Sequence, residues 1–234
     1  MKAYKAFDED LKCRGFQYDV GKEYQMDEDP VLCGRGYHAC KKLGDVFGYY
    51  DFSPETRICE VELLGDVKKC GEDSKLVTNH IKIIKELSHE ELGLAGECRL
   101  EFTDQTSHYK DYKLHREGGP AIECANGTKE WWIDDKQHRE DGPAIEWADG
   151  SKWWYIDGKR HREDGPAIER ASGSKEWWID GKRHREDGPA IEWADGTKEW
   201  WIDGKLHRED GPAIEWANGT KEWWVNGRNY YESV

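Results

Sequence analysis

A 23-residue phrase, HREDGPAIEWADGTKEWWIDGKL or a close variant, begins at His115, His138, His161, His184 and His207. Strict self-similarity at such a period marks an array in which each unit buries its apolar face only against its neighbours. Architecture is therefore constrained far more tightly than activity. Such an array presents a repeating surface and has little means of enclosing a catalytic pocket.

Each unit carries Asp-Gly or Asn-Gly pairs, as at Asp149–Gly150 and Asp203–Gly204. These are strong hairpin signals, because both central residues of a type I′ turn need positive φ. Gly142–Pro143 lies between the HRED segment and the AIEW strand, where a residue without an N–H marks an edge, a bulge or a strand start. If both Asp-Gly turns are two-residue loops, Ile191 faces Trp200, Trp193 faces Lys198, and Trp200 pairs on its other side with His207. Alternation then puts Ile191, Trp193, Trp200, Ile202 and His207 on one face, the expected core. The opposite face would carry Ala190, Glu192, Thr197, Glu199, Trp201 and Arg208. Across the array that face bears a file of Trp132, Tyr155, Trp178, Trp201 and Trp224 among Glu and Arg, a composition typical of binding hot spots. The competing arrangement covers these rings with Arg stems and cross-strand neighbours, or rolls the array until both faces are buried.

Just before the array, RLEFTDQTSHYKDYKL (Arg99–Leu114) follows the repeat in degraded form, one residue short, with Leu100 and Phe102 for Ile and Trp and Asp104–Gln105 for Asp-Gly. A degenerate terminal unit is what an array needs as a cap, and Tyr230 with Tyr231 offers a second one. From about residue 98 to 229 the chain resembles the MORN family and its bacterial variants, in the DG turn followed by aromatics and the NGK or DGK turn. WW replaces the Tyr and Gly of MORN units, and the HRED segment is additional. The resemblance implies an extended antiparallel meander and no particular partner. Arrays of the HREDGPA type also resemble those of uncharacterised phage and bacterial proteins.

All 13 tryptophans lie between Trp131 and Trp224, which sets the first part of the chain apart. Residues 1–90 read as short strands, KAYKAF, GFQYDVGKEYQ, GRGYHAC, TRICEVELLGDV and HIKIIKEL, with a helical KKLGDVFGYY between the third and fourth. The expected organisation is mainly β. A small α+β domain over residues 1–95 leads into a degenerate capping repeat (96–114), five β-hairpin repeats (115–229) and a tail (230–234). The first domain resembles an uncharacterised phage and bacterial domain with the pattern YKAF…KCRGFQY…GYHAC…DVF.YY…DSK. That resemblance brings no known activity.

Three chemistries compete in this domain. GRGYHAC and a helix ending at Tyr49–Tyr50 look like the strand, helix and Tyr that hold nicotinamide in ADP-ribosyltransferases, with Glu60 or Glu62 as the carboxylate that orients the ribose. The Ser-Thr-Ser of those enzymes is absent. Cys33, His38 and Cys40 offer zinc-ligating atoms, with Cys13, Cys59 or Cys70 to complete four, although a spacing of six does not form a zinc knuckle. Cys40 with His38 could form a thiol nucleophile pair, but no third residue orients it. Buried free cysteines are the plainer reading, so no metal and no cofactor is expected. The repeated His is expected to pack against the Trp core, because successive hairpins stand roughly 9–10 Å apart, too far for shared metal ligation.

Forty-nine acidic against 35 basic residues give a formal charge of -14. An acidic surface repels a phosphate backbone and favours a basic protein partner; solubility alone is the alternative reading. No apolar run is long enough for a membrane span, the start lacks a signal-peptide core, and seven cysteines without a CxxC pair fit reduced thiols in a cytoplasm. The expectation is a cytoplasmic, non-enzymatic protein-binding module. As a phage product it would act as an inhibitor or adaptor on a host defence or nucleic-acid-processing protein, without contacting nucleic acid or membrane itself. ADP-ribosyl transfer by the first domain is the alternative.

Overall fold

A computed structural model describes residues 1–31, 34–69 and 72–230. Cys33, Cys70 and Tyr231 lie outside the described residues. The chain divides into two compact units, Met1–His115 with Ile122–Ala125, and Arg116–Ala121 with the chain from Asn126 onward.

The first unit is built on β1 (Lys2–Phe7), β2 (Lys12–Cys13), β3 (Phe16–Gln17), β4 (Glu23–Gln25), β5 (Tyr37–Cys40), β6 (Arg57–Leu63), β7 (Val67–Lys69), β8 (Lys75–Thr78) and β9 (His80–Leu87). Seven of these form one antiparallel sheet in the order β4-β9-β6-β1-β5-β8-β7. Alternation along β1 explains its central place: Ala3 and Phe7 enter one core with Val61 and Ile83, while Ala6 enters another with Cys40, Ile58 and Leu100. The helical segment shrinks to one turn, α1 (Leu43–Val46). At that turn, a Cβ on Gly44 would sit 2.5 Å from the Glu101 carbonyl oxygen, so glycine permits the close approach of α1 to the following hairpin.

That hairpin is the degenerate repeat, β10 (Glu97–Glu101) and β11 (Gln105–Lys110). Phe102 N–H donates to the Gln105 carbonyl at 2.8 Å, so the loop is Thr103–Asp104, one residue earlier than the expected Asp104–Gln105. Asp45 fixes the loop by accepting from Thr103 N–H at 2.8 Å and Thr103 Oγ1 at 2.6 Å.

Each repeat of the second unit contains two hairpins, as the Asp-Gly pairs imply, but the two turns differ. Asp203 and Gly204 have φ of 48° and 78°, the type I′ loop that sets Trp201 opposite Leu206 and Ile202 opposite Lys205. At Asp195–Gly196 only the glycine has positive φ, at 94°. Trp193 N–H donates to Thr197 O at 2.9 Å and Gly196 N–H to Trp193 O at 3.0 Å. The loop therefore has three residues and ends in a glycine bulge. Ile191 consequently faces Glu199, and Glu192 faces Lys198. The expected pairing of Ile191 with Trp200 is off by one residue.

Of the expected core face only Ile191 is buried, because the shifted register breaks the alternation that was to join it to the other four residues. Ala190 and Ile191 are both fully buried and Thr197 is 2% exposed, whereas Trp193, Trp200, Ile202 and His207 are half-buried. No single alternation can run through the repeat, since its strands are two residues long and belong to two different ribbons. The buried Ala and Ile recur in successive units, each buried Ile contributing about 2–3 kcal/mol of transfer free energy.

Successive repeats are stitched by equivalent bonds. Trp200 N–H donates to Ala213 O at 2.8 Å and Gly204 N–H to Arg183 O at 2.9 Å. The Thr197 hydroxyl accepts from Ala217 N–H at 3.1 Å, as Thr128, Ser151 and Ser174 do from Ala148, Ala171 and Ala194. Along the main ladder, Lys129, Glu146, Lys152, Glu169, Lys175, Glu192, Lys198, Glu215 and Lys221 pair in that order, so every cross-strand neighbour is an opposite charge. Among the described residues, no helix is long and apolar enough to cross a membrane.

Candidate binding surfaces and the N-terminal cavity

The Trp file is held by its neighbours. Glu199 accepts from Trp193 Nε1 at 2.8 Å and from Trp201 Nε1 at 2.9 Å, one indole on each carboxylate oxygen. Glu222 does the same for Trp216 and Trp224, both at 3.0 Å, and Trp132 donates to Glu130 at 3.0 Å. Where Trp153 replaces this glutamate, the partners change with it. Trp147 packs edge-on against Trp153 at 5.3 Å, and Tyr155, 8% exposed, accepts from Arg160 Nε at 3.2 Å. The Arg183 guanidinium lies 5.2 and 5.1 Å from the rings of Trp178 and Trp201. The file thus has its N–H groups committed and its faces partly covered.

Other residues singled out from sequence are also engaged internally. Glu192 meets Arg185 at 3.2 Å. Arg208 reaches Asp210 at 3.0 Å and Glu215 at 3.3 Å while lying 4.1 Å over Trp200 of the preceding repeat. The repeated His packs close to its own type I′ turn, with His184 Nδ1 accepting from Asp203 N–H at 3.3 Å.

The exposed side chains of the array include lysines, such as Lys159, Lys182 and Lys205, and a recurring set of acids. The HRED glutamates Glu140, Glu163, Glu186 and Glu209 have side chains 82–86% exposed. The turn aspartates Asp157, Asp180 and Asp203 are 72–73% exposed. His138, His161 and His184 each lie between one glutamate and one aspartate, at 3.8 and 3.1 Å for His184. Trp147 and Trp216, 37% and 42% exposed, add apolar points. The Arg-Glu-Asp run is thus a solvated segment with a local salt bridge, Arg185 meeting Asp187 at 2.8 Å, and its recurrence in every unit is what makes the glutamates a row.

In the first unit, a cavity of about 560 Å³ opens beside β1 and β5. It gathers His38, Cys40, Cys13, Tyr49 and Tyr50, all named from sequence, with Lys5, which sequence reasoning missed. Glu60 and Glu62 are outside its lining: Glu60 pairs with Lys2 at 2.5 Å, and Glu62 stands opposite Lys2 in the β1–β6 register. Tyr49 donates to Asp73, with the Lys75 ammonium 3.7 Å over its ring. Tyr49 and the two glutamates are therefore not brought together.

Lys5 is 4% exposed, and its Nζ donates to Cys13 Sγ at 3.5 Å and to the His38 carbonyl at 3.2 Å. Tyr50 Oη is 2.9 Å from the same sulfur. Burial holds the Lys5 amine below its ordinary range, the Cys13 sulfur acting against it. Burial likewise lowers His38 to about 4, helped by the cations Lys75, Lys5 and Arg14. The Cys40 thiol is pushed up to about 12 by burial first and by Asp73 and Asp45 next, which argues against a thiolate there. His38 and Cys40 share a face of β5, and Cys33 is outside the described residues. Among the described residues, no group of three or more His, Cys, Asp or Glu could hold a metal ion.

No curated protein matches the chain. Its residues 1–95 match the family model of a domain of unknown function (DUF7666).

Proposed function

We propose that the chain is a non-enzymatic protein-binding module whose repeat array docks on a basic partner, as an inhibitor or adaptor of a nucleic-acid-handling protein. The observation that carries this reading is the row of Glu140, Glu163, Glu186 and Glu209, each at least 82% exposed and recurring once per repeat. The ladder carboxylates and the HRED aspartates share the HRED arginines, as Glu192 and Asp187 do Arg185 at 3.2 and 2.8 Å. The HRED glutamates have only a distant His, so their charge faces outward and steers a cationic surface. Trp147 and Trp216 supply apolar anchor points of the kind that dominate binding energy. A phage origin, with a host defence protein as partner, is the setting in which such an acidic mimic is most useful.

The test is capture from bacterial lysate on the immobilised full chain, at low and high salt, beside a variant with all four glutamates changed to Gln. The expected result is one stoichiometric basic protein, retained at low salt and lost both in high salt and on the variant. Equal retention by the variant overturns the acidic row, and the absence of any stoichiometric partner overturns the module reading.

A further inference from the structure

The N-terminal cavity combines features that the protein-binding reading does not use. The chain carries 49 acidic residues, yet no Asp or Glu is among the described residues that line this cavity. The lining instead holds Lys5, Arg14 and Lys75 among Phe16, Tyr18 and Tyr37. An ammonium 96% withdrawn from solvent, as the 4% exposure of Lys5 implies, ordinarily has a carboxylate within reach. Here its partners are a thiol and a carbonyl, with the rings of Phe7 and Tyr18 at 5.2 and 5.5 Å. Asp73, bonded to Tyr49, and Asp45 act on Cys40 from behind the lining, but Lys5 has no carboxylate beside it, a charge that a ligand could supply.

His38 adds a second requirement. Its Nε2 is buried and has no hydrogen-bond partner, and its ring bonds to the Gly36 backbone. With Nε2 unpartnered, that bond falls to the other nitrogen. Donation from there to a carbonyl leaves Nε2 of the neutral ring as an acceptor. An unpaired buried acceptor costs about 1–3 kcal/mol, which a ligand N–H or O–H would recover. A volume of about 560 Å³ lies within the range of small-molecule sites.

We propose that this cavity binds a small planar anion: an aromatic or heteroaromatic ring with one carboxylate or phosphate for the Lys5, Arg14 and Lys75 cluster and one N–H or O–H donor for His38. The ring stacks among the tyrosines, and the anion replaces the missing counter-charge of Lys5. Aromatic hydroxy acids and purine mononucleotides share this chemistry.

Isothermal titration of the full chain with 4-hydroxybenzoate, benzoate, 4-hydroxybenzyl alcohol and AMP tests the proposal. Saturable one-to-one binding of 4-hydroxybenzoate or of AMP is expected, and which of the two binds separates the two sources. Benzoate should bind roughly tenfold more weakly for want of the donor, about 1.4 kcal/mol, and the neutral alcohol not at all. Lys5→Met should abolish binding. Arg14→Gln, a change at an exposed side chain, should weaken it several-fold and decides the matter should Lys5→Met not fold. No binding of any anion, or affinity unchanged in Arg14→Gln, overturns the proposal.

Discussion

Arg170 reaches the carboxylate of Glu176 at 2.7 Å from the position that Trp193 occupies one repeat later. Glu176 is 2% exposed, and Arg183 at 3.4 Å and Trp178 Nε1 at 3.2 Å complete its surroundings. In the next repeat the same carboxylate position, Glu199, is satisfied by two indoles. The site accepts either a guanidinium or an indole because both present an N–H at the same place.

Arg170→Ala should therefore destabilise the chain by about 2 kcal/mol, leaving a buried acceptor short of a donor, whereas Arg170→Trp should lie within about 1 kcal/mol of the parent. Urea unfolding monitored by Trp fluorescence measures both. Equal losses would mean that the guanidinium charge, and not the donor, is what Glu176 needs.

Thr197→Val removes the hydroxyl that accepts from Ala217 N–H across a repeat boundary. A cost of about 1–2 kcal/mol is expected. Thr197→Ser should be nearly neutral, since Ser151 and Ser174 fill the equivalent positions. Hydrogen exchange at Ala217 should accelerate in the valine variant alone.

Lys198 stands between Glu192 and Glu215 in the main ladder. Lys198→Glu places three carboxylates side by side and should cost about 1–2 kcal/mol at low ionic strength. Added salt should return part of the loss. A melting temperature that ignores salt would show that the ladder charges do not interact.

Burial lowers the pKa of His38 from 6.5 to about 4. Between these values the unfolded chain binds a proton that the folded chain refuses, so stability should rise with pH from about 4 to about 6.5 and be independent of this group above that. Urea midpoints across this range should show the slope, and His38→Gln should flatten it. An unchanged slope in the variant would assign it to other groups.

The I′ turn at Asp203–Gly204 was legible because both of its residues need positive φ and the dipeptide satisfies them. The identical dipeptide Asp195–Gly196 ends a three-residue loop instead, with Asp195 Oδ1 accepting from Thr197 N–H at 2.8 Å. The Thr or Ser after the glycine was the distinguishing mark. Missing it shifted Ile191 by one partner and sent Thr197 and Ala190 to the wrong face. The N-terminal cavity was only partly visible for a different reason. His38 and Cys40 share a strand, and Cys13 and Tyr50 were candidates beside them, but Lys5 reaches them through the sheet, and no spacing in the chain records that convergence.

Because every boundary between repeats joins the same kinds of atoms over the same interval of chain, as Ser174 with Ala194 and Thr197 with Ala217, excising one 23-residue unit rejoins a donor to an equivalent acceptor and a lysine to a glutamate. The fold is indifferent to copy number. Unequal exchange between the near-identical coding segments could lengthen or shorten the protein in whole steps without a refolding penalty, while a deletion of half a unit would bring like charges together. The length of the ladder, and with it the count of exposed glutamates, becomes a quantity that inheritance can adjust one repeat at a time.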